Sequence, residues 1–81
     1  MVQIIRYTVK ELADMYECTE GEVRQWYGED AVCVYIAQKN DEESAFAGVQ
    51  HTDGSYSVYG LNRDEDNITY EHMVSVMETG F

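Results

Sequence analysis

The apolar positions change their spacing along the chain, first with a helical period and then with a strand period. Between Val9 and Tyr16, apolar residues recur at intervals of three and four, which is the pattern of one helix face. From Ala31 the pattern becomes an alternation in which both alternate sets are apolar, which is typical of a strand covered on two faces. One set is Val32, Val34 and Ile36, and the other is Cys33, Tyr35 and Ala37.

Two repeated start signals predict a pair of short helices. Thr8 with Glu11, and Thr19 with Glu22, each form a capping box, in which the threonine oxygen accepts a backbone N–H and the glutamate bonds back to the threonine N–H. Gly28 ends the second helix. Val23, Trp26 and Tyr27 form the apolar stripe of this second helix, and a tight turn joins it to the first.

The rest of the chain predicts a small sheet and a last helix. Asp53-Gly54 is a type I′ hairpin signal between two alternating segments. The predicted segments are a leading strand over Val2–Tyr7, strands over Ala31–Gln38, Ser44–Thr52 and Ser55–Gly60, a polar loop over Lys39–Glu43, an acidic loop over Leu61–Asn67, and a helix from Asn67 or Thr69 to Gly80. We expect a single α+β domain over residues 1–81, with a three-stranded antiparallel meander between the helix pair and the C-terminal helix.

The chain is strongly acidic, with 16 carboxylates against 5 basic residues and a net charge of −11. Its hydrophobic content of 44% is too high for a disordered acidic tail, so the charge belongs to a folded surface. Such a surface repels the phosphates of nucleic acids and attracts basic protein surfaces. Solubility alone and adaptation to a high-salt cytoplasm are alternative explanations of the same acidity.

Residues 7–26 combine a Thr cap, a Val-Lys-Glu-Leu-Ala run, a turn and a second capped helix with a central Val23. This arrangement resembles the helix-turn-helix of excisionase-type and MerR-type DNA-binding proteins. The resemblance covers about a quarter of the chain and implies a second helix that reads DNA. The residues that match it are Thr8, Val9, Glu11, Leu12, Ala13, Thr19 and Val23, with Cys18 in the buried aliphatic place of the turn.

Two departures from that family pattern change the functional interpretation. Glu17 stands where the turn glycine is expected, so it must accept a left-handed backbone or re-route the turn. Glu20 and Glu22 place carboxylates in the first turn of the second helix, where a DNA-reading helix approaches phosphates. A DNA-binding regulator or excisionase-like accessory factor therefore stays the alternative. It needs an asymmetric surface or a dimer that pools its few polar and basic groups. Those residues are Arg6, Lys10, Arg24 and Gln25.

No pattern in the sequence predicts a catalytic or metal centre. His51 and His72 are interpreted as surface residues, and Ser57 as a hairpin residue without a partnered base. Cys18 and Cys33 lack histidines at ligand spacing and are interpreted as core residues. The Asn62–Asn67 stretch places oxygens at positions 1, 3 and 5 of a calcium loop, but the later ligand positions do not fit. We expect no enzyme activity, no cofactor and no metal.

We expect instead a cytoplasmic protein-binding module. Its carboxylates would imitate the phosphates of DNA and occupy a basic, nucleic-acid-binding surface on a target protein. The size and charge are similar to those of small acidic phage-encoded inhibitors of host defence. Short apolar runs and unpatterned cysteines exclude a membrane span and favour a reducing compartment. The predicted partner-binding residues are Glu11, Asp14, Glu17, Glu20, Glu22, Glu29, Asp30, Asp64, Glu65 and Asp66, with Asp41, Glu42 and Glu43 in reserve.

Overall fold

The computed structural model describes residues 1–60 and 63–81. Five strands form one antiparallel sheet whose spatial order follows the chain, and three helices flank it. The elements are β1 (Gln3–Thr8), α1 (Val9–Met15), α2 (Glu20–Tyr27), β2 (Ala31–Lys39), β3 (Glu42–His51), β4 (Tyr56–Tyr59), β5 (Glu65–Ile68) and α3 (Tyr70–Glu78).

The α+β class is confirmed, but the sheet is larger than the predicted meander. The leading segment joins the sheet as edge strand β1, paired antiparallel with β2. The opposite edge is β5, which pairs with β4 and has its first three residues in the segment predicted as an acidic loop. The sequence of β5 is Glu-Asp-Asn-Ile, which shows no alternation of apolar residues. An edge strand is bonded on one side only and tolerates such polar composition, so hydrophobic patterning misses it.

The two hairpin turns differ from the predicted types. Asn40 and Asp41 both have positive φ, 50° and 68°, so the predicted polar loop is a tight two-residue turn of the primed kind. Of Asp53 and Gly54, only Gly54 has positive φ (87°). The Gly54 N–H donates to the carbonyl of His51, and the β3–β4 loop is one residue longer than a type I′ turn.

The sheet carries a separate hydrophobic cluster on each face. On one face, α1 and α2 bury Leu12 and Val23 against Val34 and Val49 of the sheet. On the other face, α3 buries its methionines against Cys33, Tyr35, Ala37, Phe46 and Val58. The prediction that β2 is covered on both faces is therefore confirmed.

Val32 is the exception within the predicted alternation of β2. A register shift between Ala31 and Cys33 inserts an extra residue into the strand. Val32 is exposed as a result, whereas Ala31 lies in the cluster beneath α1 and α2. A bulge of this kind reverses the faces of the residues that precede it. Those residues therefore no longer follow the alternation of the rest of the strand.

The helix pair forms as its caps predict. Both capping boxes are present, with the Thr8 oxygen accepting from the Glu11 N–H and the Thr19 oxygen accepting from the Glu22 N–H. Glu17, in the turn between the helices, has φ of 54°. The left-handed conformation expected at this position is therefore adopted by a residue with a Cβ, at a conformational cost.

Replacing Glu17 with glycine is expected to stabilise the fold. Glycine adopts positive φ without the steric cost of a Cβ, and the gain is about 0.5–1 kcal/mol after its larger loss of chain entropy. Urea titration followed by circular dichroism measures this gain. Glu17→Gln keeps the Cβ and removes the charge, so it should show no comparable stabilisation. An equal gain in both variants would assign the effect to charge and contradict the conformational explanation.

No helix within residues 1–60 and 63–81 is long and apolar enough to cross a membrane.

Candidate functional site

The outer surface of the helix pair exposes two aromatic rings in contact with each other. Tyr16 and Trp26 meet edge to face, with ring centroids 6.1 Å apart. About half of each residue's surface is exposed, 52% for Tyr16 and 53% for Trp26. Met15 is exposed to the same extent, at 53%. Large exposed aromatic and methionine side chains are the composition of protein-binding surfaces, so this cluster is a candidate contact region.

Several predicted partner-binding carboxylates lie on the same helix pair, but they are not equally free. Glu11 and Glu22 accept hydrogen bonds from the backbone N–H groups of Thr8 and Thr19. The bond from the Thr8 backbone lowers the pKa of Glu11. Both carboxylates are therefore engaged in hydrogen bonds of the helix caps. Asp14 and Glu17 are also exposed and present the less committed negative charge, whereas the exposed Glu20 forms an ion pair with Arg24.

The residues of the alternative DNA-binding set do not gather on one surface. Arg6 lies opposite Tyr35 across the β1–β2 ladder, and opposed residues of an antiparallel pair share a face. Tyr35 belongs to the cluster beneath α3, so Arg6 lies on the face opposite the helix pair. Arg24 forms an ion pair with Glu20 at 3.6 Å, whereas Lys10 and Gln25 are exposed.

The acidic segment near β5 is also partly engaged. Glu65 contacts His72 at 2.7 Å and pairs with Arg63. These hydrogen bonds, the one from His72 first, lower the pKa of Glu65. Asp64 is exposed, as is Glu29 after α2. Asn62, the first position of the calcium-loop interpretation, lies outside the described residues. Among the residues described, no group of three His, Cys, Asp or Glu side chains is placed to hold a metal.

A hydrogen-bonded chain of three side chains lies where the sequence predicted none. His51 Nδ1 lies 2.7 Å from Asp30 Oδ1, and His51 Nε2 lies 2.7 Å from Ser57 Oγ. The His51 side chain is 11% exposed and Ser57 is 1% exposed, whereas Asp30 is 55% exposed. The prediction that His51 is a surface residue and that Ser57 has no partnered base is wrong. The spatial order of the three groups is that of a serine–histidine–aspartate triad.

These three residues line an open cavity of about 380 Å³ with four further polar residues. Asp53 accepts from the backbone N–H and the hydroxyl of Ser55, at 2.9 and 2.7 Å, and these bonds lower its pKa. Asp66 lies 3.4 Å from the hydroxyl of Tyr59, whose pKa is raised mainly by burial. The complete lining is Asp30, His51, Asp53, Ser55, Ser57, Asp66 and Asn67.

Two backbone segments, the turn after α2 and the β3–β4 loop, position Asp30 at the cavity. Asp30 follows α2, and its carbonyl accepts from the Thr52 N–H of the β3–β4 loop at 3.1 Å. Gly28 has φ of 121°, and a Cβ there would come within 3.4 Å of Asp30 Oδ1. The turn after α2 therefore fixes the carboxylate of Asp30 beside His51. Of the predicted acidic residues, the structure brings Asp30 and Asp66 together here.

The turn type explains why the sequence analysis missed this site. A two-residue type I′ turn at Asp53-Gly54 would pair Gln50 with Ser57 and place Ser57 on the face opposite His51. In the structure Val49 is opposite Ser57, so Ser57 and His51 share a face. A slip of one residue moves every side chain of a strand to the other face. The Asp-Gly pair correctly predicted a hairpin, but the type I′ turn that it predicted is wrong, because the loop is one residue longer.

The chain matches no protein-family model, no curated protein and no solved structure.

Proposed function

We propose that this protein acts by binding another protein, with the helix pair as its contact surface and a basic, nucleic-acid-binding surface as its target. The observation that carries the proposal is the exposed Tyr16–Trp26 pair, which lies on the same helix pair as several exposed carboxylates. The aromatic rings would supply the buried centre of the contact. The acidic groups would form its rim and select a positively charged partner.

The aromatic pair supports a protein contact because it is costly to leave in water. Trp and Tyr are the residue types that dominate binding energy at protein interfaces, where they are surrounded by polar groups that exclude water. Trp26 and Tyr16 touch each other, so each ring restricts the other's rotation before binding. Less conformational entropy is then lost on association.

The electrostatics support a basic partner. Residues 11–30, which contain the turn and both helices almost entirely, carry a net charge of −6 from seven carboxylates and one arginine. Arg24 is that arginine, and it already pairs with Glu20. The negative potential of this unit speeds encounter with a positive groove and competes there with the phosphates of nucleic acid.

A second candidate, DNA binding by the same helix pair, is favoured by one observation. The turn adopts the left-handed residue that a helix-turn-helix requires, even though Glu17 occupies the position. The charge of the second helix opposes this function, because Glu20 and Glu22 stand in the turn that would face phosphates. A duplex mobility-shift titration of the protein alone tests this candidate.

The experiment is a competition between the protein and DNA for a purified partner. Partners captured from the native cell extract are each loaded with a fluorescent 20-base-pair duplex, and this protein is titrated in while anisotropy is recorded. Capture of a protein from the extract is not by itself support for the proposal. We expect displacement of the duplex, with an apparent affinity that falls steeply as salt is raised. The double variant Asp14→Asn/Glu20→Gln should need about 3–30-fold more protein for the same displacement.

Asp41→Asn/Glu42→Gln is the matched control, since it removes the same charge from the β2–β3 turn. It should displace the duplex about as well as the unchanged protein. Equal weakening by both double variants would indicate general charge attraction and contradict a contact by the helix pair. Partners that keep their duplex at every concentration would contradict the proposal, and a shift of free duplex by the protein alone would favour the DNA-binding candidate.

A further inference from the structure

We propose that the cavity beside the β3–β4 hairpin is a hydrolytic site, with Ser57 as nucleophile and His51 as general base, acting on small carboxylic esters that carry a positive charge. This activity goes beyond the proposed protein contact. The cavity includes neither Tyr16 nor Trp26, and Asp30 is the one residue that it shares with the acidic segment 11–30.

The geometry of the three linked side chains carries the proposal. A serine becomes a nucleophile when an imidazole within hydrogen-bond reach can take its proton, and Ser57 Oγ lies 2.7 Å from His51 Nε2. The second imidazole nitrogen lies 2.7 Å from Asp30, which fixes the tautomer that leaves Nε2 free to accept. Asp30 is a positioning residue, because it acts through His51. All three side chains line the same cavity, so this hydrogen-bonded series borders a space that a substrate can enter.

The other cavity residues supply an oxyanion donor and a charge preference. Asn67 is the one amide side chain among the residues that line the cavity, and an amide N–H₂ can donate to the oxyanion of a tetrahedral intermediate. The carboxylates of Asp53 and Asp66 at the same cavity oppose anionic substrates and attract a cationic group.

The reaction is an acyl transfer to serine followed by hydrolysis. The Ser57 oxygen bonds to the acyl carbon while its proton moves to His51 Nε2. The bond from that carbon to the alcohol oxygen then breaks, and the departing alcohol takes the proton from His51. A water molecule then bonds to the acyl carbon of the acyl-serine while its proton moves to His51 Nε2. The bond to the Ser57 oxygen breaks, that oxygen takes the proton from His51, and the carboxylic acid is released. Ester and water become acid and alcohol, with no oxidation or reduction. Because Ser57 is only 1% exposed, a small acyl group such as acetyl fits best.

The test compares two probes of matched shape, acetylthiocholine and its uncharged analogue 3,3-dimethylbutyl thioacetate, by release of thiol. We expect hydrolysis of both probes, faster for the cationic one. Ser57→Ala should lower the rate by about 10²–10⁴-fold, and Asp30→Asn should lower it and alter the pH profile. Ser75→Ala, at an exposed serine of α3, should match the unchanged protein.

Covalent labelling gives a second readout that does not depend on turnover. Phenylmethylsulfonyl fluoride should sulfonylate Ser57, with loss of fluoride, and peptide mass spectrometry locates the adduct. If circular dichroism shows that Ser57→Ala does not fold, the Asp30→Asn variant provides the test. The Asp30 side chain is more than half exposed, so its replacement should leave the fold intact. Hydrolysis at equal rates by the unchanged protein and Asp30→Asn at every pH, labelling at Ser55 alone, or no labelling with no hydrolysis above buffer would each overturn the proposal.

Discussion

Replacing Gly48 with alanine is expected to lower the free energy of unfolding by about 1–3 kcal/mol, since it overpacks the core beneath α3. Gly48 lies in the central strand, on the face that α3 covers, and a Cβ there would come within 2.4 Å of Met73 Sδ and 3.0 Å of Met77 Sδ. Both methionines are fully buried, so neither can swing into solvent to make room. The helix must move away from the sheet, or its side chains must adopt strained rotamers.

This loss is large for a chain of this size. A domain of 81 residues has a total stability of roughly 4–12 kcal/mol, so the change removes a substantial fraction. Thermal and urea unfolding measure it. Gly21→Ala is the matched control, because Gly21 lies on the exposed face of α2, and the nearest atom to its added Cβ is 3.8 Å away. This control should stabilise the protein by up to about 1 kcal/mol. Equal stability of Gly48→Ala and the unchanged protein would contradict the close approach of α3 to β3.

Gly48 also illustrates what the sequence could and could not predict. Capping boxes and apolar spacing predicted all three helices, because a cap and a stripe are local signals carried by a few residues. The start of α3 was predicted at Asn67 or Thr69. In the structure Thr69 is the N-cap, and its side chain accepts from the His72 N–H, whereas Asn67 belongs to β5. A glycine within a strand, in contrast, gives no sign of which helix lies above it. That contact depends on the arrangement of the whole sheet.

Errors in the predicted sheet have a common physical origin. Edge strands are stabilised by pairing with a neighbour, which is a non-local property, so the polar β5 gave no signal of its own. The bulge at Val32 and the longer β3–β4 loop each shift a register by one residue. Such shifts are small in the chain but reverse the faces of the residues beyond them. The polar cavity is a consequence of one of these shifts, so it could not be derived from residue spacing.

The sequence predicted the charge of the helix pair but not the exposure of its aromatic pair. The acidic residues of the helix pair were identified by charge, but Trp26 was assigned to the apolar stripe that faces the core. In the structure Val23 alone of α2 is fully covered, and Trp26 is 53% exposed. A helix of eight residues makes little more than two turns, so one buried residue can hold it against the sheet. The apolar residue three positions later then faces water.

Replacing Trp26 with alanine is expected to weaken partner binding by about 30-fold or more, which corresponds to at least 2 kcal/mol. The reason is the loss of the largest exposed ring on the helix pair together with its contact to Tyr16. The stability of the fold should change by less than about 1 kcal/mol, because the ring is half exposed before binding. Isothermal calorimetry against the partner identified by duplex competition measures the first effect, and urea unfolding measures the second.

Trp26 also reports on the contact directly, because it is the single tryptophan of the chain. When a tryptophan-free fragment of the partner covers it, its fluorescence maximum should shift to shorter wavelength, since the ring leaves water. Phe81→Ala is the control, since it removes an exposed aromatic ring beyond α3 and away from the helix pair, and it should leave binding unchanged. Unshifted emission at saturating partner, together with equal affinities of Trp26→Ala and the unchanged protein, would mean that the partner does not touch the helix pair. The acidic groups would then act elsewhere on the surface, because a contact centred on the Tyr16–Trp26 pair cannot form without excluding water from that ring.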